Sequence, residues 1–259
     1  MATNCPCPKF FKDGKIDSGI RDALLFIADD ILENLEEKLP GFKELDIVDH
    51  IVFTGSFTGT GWDDQSDVDL HFIVDFGKIE DETEVNFLKF GLAYFSKIYS
   101  ENNYKIKGSP IEVYFQDKDE PHYSPGVYDL KANEWLEEPD CDPIEVSQEE
   151  KQKSDEYLTK IKELSKSQLS DDIDGYKKEI DDLFEEIKDQ RAEGLASKET
   201  YRSSGNIIFK LLRRNGGLGS LDKLKKRIKQ LEISEYLVEM RKIFRKEILT
   251  LMIMLKKEC

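Results

Sequence analysis

Helical and strand periodicities alternate along the first part of this chain, and a helical period alone governs the rest. Ile20, Leu24, Ile27, Ile31 and Leu35 fall three or four apart, the spacing of one helix face. A helix is predicted over Ile16–Leu39, with Asp17 or Ser18 able to cap its start and Pro40-Gly41 to end it. Ile47–Thr54 then reads as a strand. Val68–Phe76 reads as a second, with Val68, Leu70, Phe72 and Val74 on one face and Asp67, Asp69 and His71 on the other. Asp81–Tyr99 has helical spacing again, with Phe87, Phe90, Tyr94 and Ile98 as its expected inner face. Ile111–Phe115 is a third strand, in which Ile111, Val113 and Phe115 share one face and Glu112, Tyr114 and Gln116 the other.

Residues 117–145 are rich in Pro, Gly and Asp, with short extended pieces near Val127-Tyr128 and Trp135 as an expected core anchor. Beyond Pro143 the chain turns to long, charged, helix-forming segments, with breaks near Asp174-Gly175, Gly194 and Gly216-Gly217. This change predicts two domains, 1–145 and 146–259. The expected fold class is α/β: a small mixed sheet with flanking helices, followed by an all-α C-terminal domain.

Composition bounds what such a chain can do. Among 259 residues, 36% are charged and 39% hydrophobic, enough apolar material for a folded core. The formal charge of −16 is unevenly spread: residues 1–145 hold 13 Lys/Arg against 32 Asp/Glu, and residues 146–259 hold 25 against 22. So acidic a front half disfavours long duplex DNA as a partner. Segment 198–246 is basic, with 14 Lys/Arg against 5 Asp/Glu, as an anion-facing surface or a solvated helix face would be. The start lacks a basic stretch followed by an apolar one, and Ile248–Leu255 is too short to span a bilayer, so neither a secretory signal nor a membrane anchor is expected. Cys5, Cys7, Cys141 and Cys259 show no CxxC spacing. Cys5 and Cys7 are expected in a loose extended tail, and a reducing, cytoplasmic setting fits them.

The chemistry concentrates between residues 54 and 69, in Thr-Gly-Ser-Phe-Thr-Gly-Thr-Gly-Trp-Asp-Asp-Gln-Ser-Asp-Val-Asp. Gly55-Ser56 falls where a strand ends in a turn, a place where backbone N–H groups and a hydroxyl can receive phosphate oxygens. Asp67 and Asp69 point from one face of the next strand, and Glu112 stands alone in an apolar strand pattern. If these strands are neighbours, three carboxylates meet above the sheet and can hold hard divalent cations. An EF-hand does not fit Asp63–Asp69, which lacks its glycine and closing glutamate, and no Gly-Lys-Ser/Thr completes a Walker loop. Ser56 could also cap a short helix. His71 could orient Asp69 or pack beneath the acids, Tyr114 and Gln116 could border a nucleotide or simply pack, and His122 has no visible partner.

Gly55-Ser56, the spacing to Asp67-Val68-Asp69, and Ile111-Glu112-Val113 on a later strand resemble the DNA polymerase β superfamily of nucleotidyltransferases, over about residues 47–116. The resemblance implies a small mixed nucleotidyltransferase sheet, Mg²⁺ or Mn²⁺ as cofactor and an NTP as substrate. The reaction it implies is transfer of NMP to an acceptor with loss of pyrophosphate. It also implies that Asp67 and Asp69 bind the metals, that Glu112 completes the metal site and helps deprotonate the acceptor, and that Gly55 and Ser56 hold the triphosphate. Ile20 to Leu25, Thr54-Gly55-Ser56, Ser66 to His71, Asp75-Phe76 and Glu112 to Asp117, with Gly126-Val127-Tyr128 and Trp135, are similar to predicted nucleotidyltransferases of large tailed bacteriophages. The resemblance implies a cytoplasmic protein, in the host cytoplasm if it is phage-encoded. The resemblance does not identify the acceptor, and an RNA end, a protein and a small molecule all stay open.

Arg202, Asn206, Lys210 and Arg213 fall on one predicted helical stripe. They could face the carboxylates and neutralise the triphosphate, or form an exposed basic stripe over Ile207, Ile208, Leu211 and Leu212. Lys223, Lys225, Lys226, Arg227 and Lys229 could extend that stripe toward RNA. A noncatalytic nucleotide-binding regulator, or an antitoxin-like module of the same fold, is the alternative function. Glu112 argues against it, since a binder needs no acid to activate an acceptor.

Overall fold

The computed structural model describes residues 5–101, 104–167 and 173–257. It is a mixed α/β structure with a six-stranded mixed sheet, a two-stranded hairpin and, among the described residues, six α-helices. Helix makes up 58% and strand 16%, an excess of helix that reflects a second unit without strands among its described residues. One compact unit runs to Ser147 and includes Gly194–Ser203; the other comprises Gln148–Glu193 and the chain from Ser204 on. Segment 194–203, expected within the helical domain, joins the first unit because Tyr201 and Arg202 bond to Asp140.

The first unit opens with a hairpin, β1 (Phe11–Lys12) and β2 (Lys15–Ile16), turned by Asp13 and Gly14 at positive φ. Helix α1 (Ser18–Lys38) follows, its Asp17 carboxylate accepting the Gly19 N–H as N-cap. Strands β3 (Val48–Thr54) and β4 (Val68–Val74) pair antiparallel. Helix α2 (Glu82–Glu101) then carries the chain across to β5 (Lys105–Ile106) and β6 (Ser109–Asp117). β6 lies parallel to β4, as a helical crossover permits. β7 (Val127–Asp129) and β8 (Glu134–Glu137) complete the order β5-β6-β4-β3-β7-β8. The core fills one face of this sheet, where Ile51, Phe53, Val68, Leu70, Phe72, Ile111 and Val113 meet Leu24, Ile31 and Leu35 of α1 and Leu88 and Leu92 of α2. Trp135 is partly buried, stacked on Phe11 with its Nε1–H donating to the Gly14 carbonyl at 2.7 Å.

Two expectations fail in this unit. The spacing puts Phe87, Phe90, Tyr94 and Ile98 inside, yet Phe87, Phe90 and Tyr94 are exposed and Leu88, Leu92, Phe95 and Tyr99 are buried. Both stripes have helical period, and β6 decides between them. Beyond its short pairing with β5, β6 is an edge strand. Ser96 and Ser100 of α2 accept its Phe115 and Val113 N–H groups at 3.1 and 2.8 Å. Turning these serines toward β6 carries the Leu88 stripe inward. The second failure is the tail. Cys5 is joined to Cys141 by a disulfide across 136 residues, and Cys7, Phe10 and Phe11 are buried. Cys7 remains a buried thiol, and the Cys5–Cys141 pairing removes the premise for a reducing compartment. Cys259 lies outside the described residues.

The second unit contains α3 (Gln148–Lys166), α4 (Ile173–Ala196), α5 (Ser204–Arg214) and α6 (Gly217–Lys257). Tyr157, Ile161, Ile180, Leu183, Ile187, Leu212, Leu221, Leu224 and Ile228 form its core. The apolar run 248–255 falls within α6, with side chains outside those described. Among the described residues, no helix is long and apolar enough to cross a membrane.

Candidate functional site

The face of the sheet opposite the α1 and α2 core carries the polar residues of the central strands. Alternation fixes this: with Val68, Leu70 and Phe72 committed to the core, Asp67, Asp69 and His71 must point the other way. On β6 the buried Ile111, Val113 and Phe115 likewise send Glu112, Tyr114 and Gln116 outward. The parallel register places Asp69 beside Glu112 and His71 beside Tyr114, while β3 places Thr54 on the other side of Asp69. One carboxylate oxygen from each of Asp67, Asp69 and Glu112 lies within 4.8 Å of the others. The two aspartates are half-buried and Glu112 is exposed.

The turn leading to these acids is tightly built. Gly55 has φ 80° and ψ −162°, and a Cβ there would fall 1.5 Å from Asp69 Oδ2. Only glycine lets the backbone pass so close to the carboxylate. Ser56 is the first residue of a short 3₁₀ turn, Ser56–Thr58, whose N-cap position is held by Gly55. Hydroxyls brace the turn from behind. Thr54 Oγ1 and Ser124 Oγ donate to the Gly126 carbonyl at 3.1 and 2.7 Å. Thr58 Oγ1 lies 2.7 Å from the Gly55 carbonyl and 3.1 Å from that of Gly126. Further on, Ser66 Oγ accepts the Asp63 N–H at 2.9 Å, shaping the turn that delivers Asp67.

His71 packs rather than facing the acids: its Nδ1 lies 2.8 Å from Gln116 Oε1 and its ring meets Tyr114 edge-on. Burial pushes its pKa down to about 4, only partly opposed by the Gln116 hydrogen bond, so the ring is neutral near pH 7. Tyr114 donates to Glu120 at 3.0 Å, and burial, reinforced by the Glu120 charge, pushes its phenol up to about 12.

Of the three residues expected to hold phosphate from the rear half, Arg202 is placed differently. It lies in the 3₁₀ turn Thr200–Arg202, and extended Ser203 separates it from α5, so it shares no helical stripe with Asn206 and Lys210. Its guanidinium grips Asp140 bidentately, Nη2 to Oδ1 at 2.6 Å and Nε to Oδ2 at 2.9 Å, and Nη2 also reaches the Asp142 carbonyl. Asn206 and Lys210 belong to the second unit, where both are buried on α5 rather than forming an exposed stripe. Lys225 pairs with Asp181 and Lys226 with Asp222, so part of the basic run is balanced within that unit.

Three convergent carboxylates repel one another unless positive charge stands among them. Their oxygens are hard donors of the kind Mg²⁺ and Mn²⁺ take, so the group could hold a divalent cation. Comparison of the chain with models of known protein families, with curated proteins and with solved structures finds no match.

Proposed function

We propose that this protein is a metal-dependent nucleotidyltransferase of the DNA polymerase β type, moving NMP from an NTP to an acceptor hydroxyl. The observation that carries the proposal is the convergence of Asp67, Asp69 and Glu112, from strands distant in sequence, beside a turn whose glycine lies against Asp69. Asp67, Asp69 and Glu112 would hold Mg²⁺ or Mn²⁺. When bound, such ions would neutralise the triphosphate and stabilise both the entering and the leaving oxygen.

The chain's own groups have separate tasks. The backbone of Gly55 and the hydroxyl of Ser56, at the start of the turn, receive the triphosphate and set its direction. Glu112, exposed where Asp67 and Asp69 are half-buried, stands where an acceptor can reach it and takes the proton from its hydroxyl. The acceptor oxygen bonds to the α-phosphorus, the bond to the bridging oxygen breaks, and pyrophosphate leaves. Arg202 is committed to Asp140 and takes no part. No role is assigned to Asn206 and Lys210.

The test is pyrophosphate release from labelled NTPs with Mg²⁺ or Mn²⁺ and RNA, protein or small-molecule acceptors. Turnover should fall by about 10³-fold or more in Asp67→Asn/Asp69→Asn, as the loss of charge-stabilising groups at a reacting centre implies. Turnover that persists in this double variant would refute the assignment.

A further inference from the structure

The back of the Gly55–Trp62 turn is covered by two segments far away in sequence. Residues 139–143 lie across it: the Asp140 N–H donates to the Pro125 carbonyl at 2.7 Å, and Thr60 Oγ1 donates to the Asp142 carbonyl at 3.1 Å. Packing there leaves no slack, since a Cβ on Gly59 would fall 2.5 Å from Pro125 and 3.3 Å from the Asp140 carbonyl. The N-terminal segment covers the other side. The Cys7 N–H donates to the Phe57 carbonyl at 2.9 Å, and Cys5 Sγ lies 3.8 Å from the Thr58 carbonyl. The Cys5–Cys141 disulfide joins these two covers. It is open to reagents, for Cys141 is exposed and Cys5 half-buried, whereas Cys7 is wholly buried and removed from exchange.

We propose that the Cys5–Cys141 disulfide is a thiol-responsive clip that regulates the candidate site. Closed, it presses both covers against the turn; opened by a dithiol, it lets the turn loosen and weakens NTP binding. The binding consequence rests on the assignment of this turn as the triphosphate cradle. Reduction breaks the Sγ–Sγ bond. Two electrons and two protons from the dithiol leave Cys5 and Cys141 as thiols and the dithiol as its own disulfide. The Arg202–Asp140 pair holds residue 140 independently of the sulfur bond, so reduction frees the N-terminal cover first and loosens the turn without unfolding the unit.

The experiment uses the full chain in three forms: oxidised, reduced with dithiothreitol, and Cys141→Ser. Amide hydrogen exchange is read by mass spectrometry and binding of ATP with Mg²⁺ by calorimetry. Exchange at residues 56–62 should rise roughly tenfold on reduction while β4 and β6 stay protected, as expected for local opening. Reoxidation should restore wild type but not the variant. Affinity for ATP should fall by about fivefold or more, the cost of losing a pre-ordered cradle. Unchanged exchange at 56–62, or a rise spread evenly over the unit, would overturn the clip. Exchange that responds as expected with no ATP bound in either state would uphold the clip and refute the substrate assignment. Equal ATP affinity in both states would uphold the substrate and overturn its regulation.

Discussion

Replacing Gly55 by alanine tests how the turn and the acids are coupled, whatever the reaction. The native φ 80°, ψ −162° lies where residues with a Cβ are scarcely found, and holding alanine there costs about 1–3 kcal/mol. The new methyl would also stand 1.5 Å from Asp69 Oδ2 and 2.5 Å from its Cγ. Either the carboxylate rotates away from Asp67 and Glu112 or the end of β3 retreats, an overpacking cost of about 1–3 kcal/mol. The expected total is about 2–6 kcal/mol, a large share of the 5–15 kcal/mol typical of a domain. Gly41→Ala is the control, because Gly41 has φ 91° and nothing within 4 Å of its Cβ position. It should cost only the backbone share, about 1–2 kcal/mol. Urea denaturation of both variants, with and without saturating Mg²⁺, measures the difference. Gly55→Ala should lose more stability than Gly41→Ala and also lose any Mg²⁺-dependent gain of wild type, since metal that binds only the native site adds to its stability. Equal costs in the two variants, with the Mg²⁺ response kept, would refute the close approach of turn and carboxylate.

Two further outcomes are expected. Ser96→Ala removes the acceptor of the buried Phe115 N–H and should cost about 1–3 kcal/mol in denaturant titrations, whereas Ser167→Ala, on an exposed hydroxyl, should cost nothing measurable. Arg202→Ala should lower stability by about 1 kcal/mol and leave the metal response intact. Burial pushes the Asp140 carboxyl up, but the Arg202 and Tyr201 hydrogen bonds outweigh it and hold it below the usual carboxylate range. The stability that Asp140 contributes is therefore complete above its unfolded value and is lost as pH falls through its folded one. Acid titration should show a steeper loss of stability below about pH 4 in wild type than in Asp140→Asn.

The central strands were legible in the sequence because burial on one face leaves a clean period of two. Once Val68, Leu70 and Phe72 are inside, the direction of Asp67 and Asp69 follows, and Glu112 stands out for the same reason in β6. Their register was not legible, since nothing local says that Asp69 pairs with Glu112 rather than Tyr114; the α2 crossover sets it. The inner face of α2 was misread because two apolar stripes fit a helix equally well, and the deciding groups, Ser96 and Ser100, signal nothing until β6 lies beside them. Asp13-Gly14 between Phe11 and Lys15 is a hairpin signal in plain view, and it argues against a loose tail. The Cys5–Cys141 pairing and the Arg202–Asp140 grip join residues 136 and 62 apart, and no short-range pattern foretells either.

The parallel pairing of β4 and β6 bears on when the acidic site comes into existence. Asp69 and Glu112 stand side by side only after the chain has travelled out through α2 and back. A fragment released before Ser109 therefore carries two of the three acids and cannot assemble the third. During synthesis the cluster of charge therefore stays incomplete until β6 has joined β4, while β7 and β8 are still to be added on the far side of β3.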